Sequence, residues 1–126
     1  MGSSLHLVLH GDASGGRVLR EEVRQWLAGA RVNGATGEAI VSAVSEAFTN
    51  AVEHPVERTS DDVAVDGQIE SNEVVLRVRD DGRWQHNMDP ARGHYGFRLM
   101  EALMDSVVID RADGGTLVTL RRAIPR

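Results

Sequence analysis

The first pattern along the chain is a short alternation, in which Leu5, Leu7 and Leu9 are separated by His6 and Val8 and followed by His10, before Gly11 and Asp12. A period of two predicts a half-buried strand. From Ser14 to about Gly29 the period lengthens. Val18, Leu19, Val23, Trp26 and Leu27 recur at helical spacing among charged residues, which predicts an amphipathic helix. NGATGE, Asn33 to Glu38, reads as a turn. It offers Thr36 as the N-cap of a second helix and Glu38 for its first turn, where a carboxylate suits the helix dipole. That helix is predicted from Gly37 to about His54, with Pro55 stopping it.

Alternation returns at Asp62 to Glu70 and Glu73 to Arg79, on either side of a turn at Ser71-Asn72. Asp80 to His94 has little periodicity and carries Gly82, Pro90 and Gly93, so it reads as a long loop, a type more often functional than idle in a compact domain. A third helix follows from Tyr95 to about Met104. Strands at Ser106 to Arg111 and Thr116 to Arg122 then flank a turn at Asp113-Gly114-Gly115. The order β-α-α-β-β-α-β-β predicts an α+β two-layer sandwich, with a mixed, mostly antiparallel sheet covered on one face by three helices.

Composition narrows the picture. At 126 residues the chain is one domain by length, and no apolar run approaches the ~20 residues that span a bilayer. It reads as soluble and cytoplasmic. The absence of cysteine removes disulfides, thiolate metal sites and a cysteine nucleophile together. A formal net charge of -5 argues against nucleic acid as a partner, since phosphate contacts need clustered Lys and Arg, and Arg121, Arg122 and Arg126 are too few. Met1 to Ser4, MGSS, reads as a vector-derived leader, which leaves residues 5–126 as the domain.

Candidate chemistry begins in SEAFTNAVEHP, Ser45 to Pro55. On a wheel of the second helix, Ile40, Val44, Ala47, Phe48 and Ala51 share one arc; Ser42, Ser45, Glu46, Thr49, Asn50 and Glu53 share the other. By default such an arc is the solvated face. Yet solvated faces favour Lys, Arg, Gln and Glu, whereas four of these side chains are short, as though something must come close. Glu46 and Asn50 stand four apart and can reach one object together. A carboxylate can take a proton from a hydroxyl, and an amide oxygen is a hard ligand suited to magnesium.

Three further stretches are ordinary singly. Asp80-Asp81-Gly82 ends a strand and reads first as a turn. It could also hold a carboxylate for an exocyclic amine such as that of adenine, with Gly82 admitting a flat base. Gly93-His94-Tyr95-Gly96-Phe97-Arg98 opens a helix, where backbone N–H groups favour phosphate, although it is neither a P-loop nor a Rossmann fingerprint. Gly114-Gly115-Thr116 is by default a hairpin turn.

In this order and spacing, the four stretches resemble the GHKL (Bergerat-fold) ATPases. SEAFTNAVEHP, VRDDGRW, GFRLMEALMDSVVID and GGTLVTLRR are similar to the anti-sigma-factor serine/threonine kinase branch, which includes domains fused to phosphatase and sensor modules. The resemblance runs from Leu5 to Arg122. It implies ATP and Mg2+ as cofactors, with Glu46 as general base and Asn50 as magnesium ligand. Asp80 would bind the adenine amine, Thr116 would support it, and Gly82 would leave room for the base. His54 would lie near the phosphates. Residues 83–94 would form the lid, and His94, Tyr95, Gly96, Phe97 and Arg98 would line the phosphate end.

The activity implied is phosphoryl transfer to a serine or threonine of an anti-sigma antagonist of the STAS fold, together with sequestration of a sigma factor and, by analogy, homodimerisation. Two positions depart from the family pattern. His94 stands where the lid's first glycine would align with Gly96, or else one residue is inserted after Gly93. Trp84 replaces a Gly or Phe of many relatives, as a lid anchor or as a packing residue. The altered lid motivates a competing reading, a non-catalytic module that binds its partners with or without nucleotide. A histidine-kinase catalytic domain is a third reading, and it would require an upstream helical hairpin.

Overall fold

The computed structural model describes residues 3–53, 55–56, 61–81, 83–84, 95–112 and 115–125. The elements run β1 (Ser3–His10), α1 (Ala13–Gly29), α2 (Gly34–Glu53), β2 (Pro55–Val56), β3 (Asp62–Glu70) and β4 (Glu73–Asp80). They continue with β5 (Arg83–Trp84), α3 (Tyr95–Leu103), β6 (Ser106–Ala112) and β7 (Gly115–Ala123). Five strands form one sheet in the order β1-β3-β4-β7-β6. Every pairing in it is antiparallel, so the expected mixed component is absent from this sheet. A separate two-stranded ladder pairs Pro55 with Trp84 and Val56 with Arg83, inside a stretch whose sequence lacks any strand period.

Alternation along each strand and the register across strands produce continuous rows on the helix-facing side. Leu7, Val65, Val78, Val118 and Ile109 lie side by side across all five strands, and Leu5, Gly67, Leu76, Leu120 and Val107 form the parallel row. Val65, Val78, Val118, Leu76 and Leu120 are buried. Each such side chain withdrawn from water contributes about 1.5–3 kcal/mol. Gly67 leaves a gap in its row that the Trp26 indole of α1 fills; a Cβ there would stand 2.6 Å from the ring. Trp26 Nε1 donates to Ser3 Oγ at 3.0 Å, tying the indole to the start of β1.

Helix α1 begins on a cap that its sequence offers plainly. The Asp12 carboxylate accepts from Gly15 N at 2.9 Å and from Ser14 Oγ at 2.6 Å, satisfying a first-turn donor. Gly15 is required by the turn into this helix, because a Cβ would stand 1.9 Å from the His10 carbonyl oxygen. The helix ends with Arg31 N donating to Ala28 O at 3.0 Å and Val32 N to Leu27 O at 2.8 Å, a Schellman pattern. Its left-handed residue is Arg31, at φ 64°, in place of the usual glycine.

Helix α2 starts earlier than its sequence suggests. Gly34, at φ 66°, is its first residue, which places Thr36 within the first turn and removes it as a cap. Glu38 lies beyond the first turn; its carboxylate instead meets Arg24 of α1, at 3.3 Å from Nε and 3.4 Å from Nη2. Ala35, Ala39, Ala43, Ala47 and Ala51 recur every fourth residue. This small-residue ridge lets neighbours approach α2, which packs against α1, α3, β4 and β7.

The hairpin between β3 and β4 turns at Ser71 and Asn72, as the sequence predicts, with φ of 52° and 63°. Two left-handed central residues are the type I′ geometry that matches strand twist.

Candidate functional site

Because α2 lies between α1 and α3 and over β4 and β7, its second arc is not a solvated face. Ser42 is exposed, but Ser45, Glu46 and Thr49 are half-buried and Asn50 is only 6% exposed. Arg20 of α1 reaches Ser45 Oγ at 3.5 Å. Of the short side chains noted in the sequence, Ser45, Thr49 and Asn50 thus sit where neighbouring elements crowd the helix.

Glu46 faces the opening turn of α3. A Cβ on Gly96 would stand 3.1 Å from Glu46 Cδ and 3.2 Å from its Cγ and Oε1. The absent side chain is therefore what allows the helix N-terminus to approach the carboxylate. Phe97, half-buried, packs on the core, while Arg98 is exposed.

The sheet supplies a second polar pair. Asp80 closes β4 and pairs directly with Thr116 at the start of β7, so the two residues stand side by side. Their parity along the strands is that of Val78 and Val118, and both point into the helix layer, 4% and 2% exposed. Gly115 brings its strand close: at φ 148°, a Cβ would stand 2.0 Å from the Asp80 carbonyl oxygen.

Among the described residues, the buried polar side chains are Asn50, Asp80 and Thr116. Burial of a carboxylate or an amide is costly unless it is satisfied, so polar groups in a core mark places where something other than packing is selected. Each of the three is a residue that the sequence singled out. His54, Gly82 and His94 lie outside the described residues, as do the side chains of Tyr95 and Trp84.

The residues present fit a magnesium nucleotide in kind. Asn50 offers a neutral oxygen, Glu46 a carboxylate one helical turn away, Asp80 a buried acceptor, and Gly96 a cradle that a Cβ would fill. Among the described residues no group of three or more His, Cys, Asp or Glu side chains gathers as a metal cage. No helix among them is long and apolar enough to cross a membrane.

A groove of about 360 Å³ lies elsewhere, between the end of α1 and the start of α2, lined by Leu27, Val32 and Val41 with Arg24 and Glu38 at its edge. It contains none of the residues above. The contact of Glu46 with Gly96 was not derivable from sequence spacing, since the two are fifty positions apart on different helices.

A family model described as a histidine kinase-like ATPase domain matches residues 12–122. The chain is 31% identical over 93 residues to an anti-sigma F factor of Clostridium acetobutylicum, an alignment covering 64% of this chain and 65% of that protein. It is 33% identical over 97 residues to an anti-sigma F factor of Clostridium perfringens, covering 66% and 69% respectively. The chain thus spans about two thirds of the length of these curated relatives. Among solved structures it is similar to the RsbU and RsbW domains of Rv1364c from Mycobacterium tuberculosis, with a TM-score of 0.80 and 29% identity over 98% of this chain and 33% of that one. A blue-light activated histidine kinase of Erythrobacter litoralis EL346 aligns over 71% of this chain and 30% of its own, at a TM-score of 0.61 and 29% identity.

Proposed function

The chain belongs to the histidine kinase-like ATPase domain family, and we propose that it is an anti-sigma factor with serine/threonine kinase activity. It binds Mg2+-ATP, phosphorylates a STAS-type antagonist and sequesters a sigma factor. The observation that carries this reading is the coincidence of Asn50, Asp80 and Thr116 as the buried polar side chains of the described core, with Glu46 held at the start of α3. The relatives named anti-sigma F factor support a sigma factor as one partner.

In this mechanism Asp80 accepts a hydrogen bond from the adenine amine, and Thr116, beside it, supports that contact. Gly82 leaves room for the base. Asn50 would hold the magnesium, while His54 and residues 94–98, including His94, Tyr95, Gly96, Phe97 and Arg98, would contact the phosphates. When bound, ATP would supply the transferable γ-phosphoryl group and magnesium would offset its negative charge. Glu46 orients the incoming serine or threonine hydroxyl and accepts its proton as the new oxygen–phosphorus bond forms and ADP departs. Positioning does most of the work in such a transfer.

Calorimetric titration with Mg2+-ATP, followed by transfer from γ-labelled ATP to the cognate antagonist, tests the proposal. Glu46→Gln keeps nucleotide binding and lowers transfer by about 10²–10⁴-fold. Absence of Mg2+-ATP binding at millimolar concentration sinks the reading. Binding without transfer leaves a nucleotide-dependent partner-binding module.

A further inference from the structure

Helix α3 is attached at both ends, and the two attachments differ in kind. At its start, Gly96 lies against the Glu46 carboxylate. At its end, Arg122 of β7 donates from Nη1 to the Leu103 carbonyl oxygen at 2.5 Å. That oxygen is one of the last-turn carbonyls left without an intrahelical donor, at the negative end of the helix dipole, where a guanidinium is favoured. Asp105 completes the fastening. Its backbone N donates to Arg121 O at 2.8 Å, and its carboxylate accepts from Ala123 N at 2.6 Å.

The same strand also reaches the other end of the site. β7 opens at Gly115 and Thr116, against Asp80, and carries Arg122 on the same side six residues later. Helix α3, nine residues and about 13 Å long, therefore spans from Glu46 to the far end of a strand whose beginning forms the base-binding wall. A helix this short has little intrinsic stability. Its axial placement rests on the contacts at its ends and on Phe97, Met100 and Leu103, which pack on the core.

We propose that Arg122 is a positioning residue for the Glu46 site. By holding the last carbonyl of α3, it sets how far the first turn advances toward the carboxylate. Arg121, its neighbour, has the opposite parity and pairs with Glu73 at 3.1 Å, away from α3, so it provides an internal control. The consequence for phosphoryl transfer rests on the kinase reading above, whereas the mechanical coupling stands independently of it.

The test uses the nucleotide-free protein. The Glu46 side-chain carboxyl carbon resonance, assigned with Glu46→Gln, and amide exchange along α3 are followed in Arg122→Met, Arg122→Lys and Arg121→Met. Losing one charge-assisted hydrogen bond speeds exchange in α3 by about tenfold or more, while the amides of β3 and β4 keep their protection. The Glu46 resonance moves in Arg122→Met, returns at least halfway in Arg122→Lys, and stays in place in Arg121→Met. If Arg122→Met does not fold, Arg122→Gln takes its place. An unmoved Glu46 resonance, or a change shared equally by Arg121→Met, overturns the proposal. Failure of the unaltered protein to bind Mg2+-ATP would instead sink the kinase reading, and the resonance and exchange data would still decide the clamp.

Discussion

Gly96 and Glu46 are in contact across the α2–α3 interface, at a separation that a side chain on Gly96 would crowd: a Cβ would stand 3.1 Å from the carboxylate carbon. An approach that close requires one partner to give by a few tenths of an ångström. Glu46 is the movable one, and on the proposed kinase reading its placement is what transfer depends on.

Gly96→Ala therefore separates stability from activity. Alanine gains about 0.5–1 kcal/mol over glycine inside a helix and less at the second residue, where Gly96 stands, so the urea midpoint changes little. Transfer to the antagonist falls by about tenfold or more, since small displacements of reacting groups are costly. Equal losses of both would show that Gly96 serves packing alone.

Asp80→Asn probes the wall made with Thr116. On the proposed kinase reading, replacing this buried acceptor weakens the hydrogen bond from the adenine amine by about 1.5–3 kcal/mol, or roughly 10–100-fold in ATP affinity. Guanine presents a carbonyl where adenine presents an amine. The variant's amide can donate to it, so the preference for ATP over GTP narrows. Calorimetry with both nucleotides checks this; unchanged discrimination removes Asp80 from base recognition.

Arg31→Gly is expected to stabilise the fold. Arg31 occupies the left-handed position of the α1 terminus at φ 64°, which costs a non-glycine residue about 1 kcal/mol. The gain, offset by glycine's greater freedom in the unfolded chain, is at most about 1 kcal/mol, read from urea unfolding. A loss of stability would indicate that the Arg31 side chain contributes more than its backbone costs.

Asp12 gives a pH dependence of defined sign. The hydrogen bond from the Ser14 hydroxyl, followed by that from Gly15 N–H, holds its carboxyl below the ordinary value of 3.8. A depressed folded value means that the stabilisation is complete above the unfolded value and is lost as pH falls through the folded one. In urea unfolding, the difference between the native chain and Asp12→Asn should be flat near neutrality and shrink below pH 3.8. A difference that grew on acidification would contradict the cap.

Much of this was legible in the sequence because it depends on local periodicity. Leu5, Leu7 and Leu9, the alternation through β3 and β4, and the turn at Ser71-Asn72 carry their signal within a few residues. Asp12 followed by Ser14 and Gly15 is equally local, and it caps a helix that starts at Ala13, one residue before the Ser14 start that apolar spacing predicts. Thr36 misled for a related reason. A good capping residue competes with any nearby residue able to adopt a non-helical conformation, and Gly34 at φ 66° begins α2 first. The ladder of Pro55–Val56 with Arg83–Trp84 had no periodic signal, as two residues are too few to show one.

By itself, the sequence determined the three helices and the five strands of the main sheet, that one sheet face would be apolar, and which residues could carry chemistry. Spacing of two or of three to four residues is enough for that. Tertiary structure alone decided that Ser45, Glu46, Thr49 and Asn50 are withdrawn from solvent, because burial depends on what packs against α2 rather than on α2 itself. It also decided that Asp80 faces Thr116, that Gly96 touches Glu46, and that Arg122 holds the far end of the helix on which Gly96 sits. These are contacts between residues far apart in the chain, and no local period encodes them.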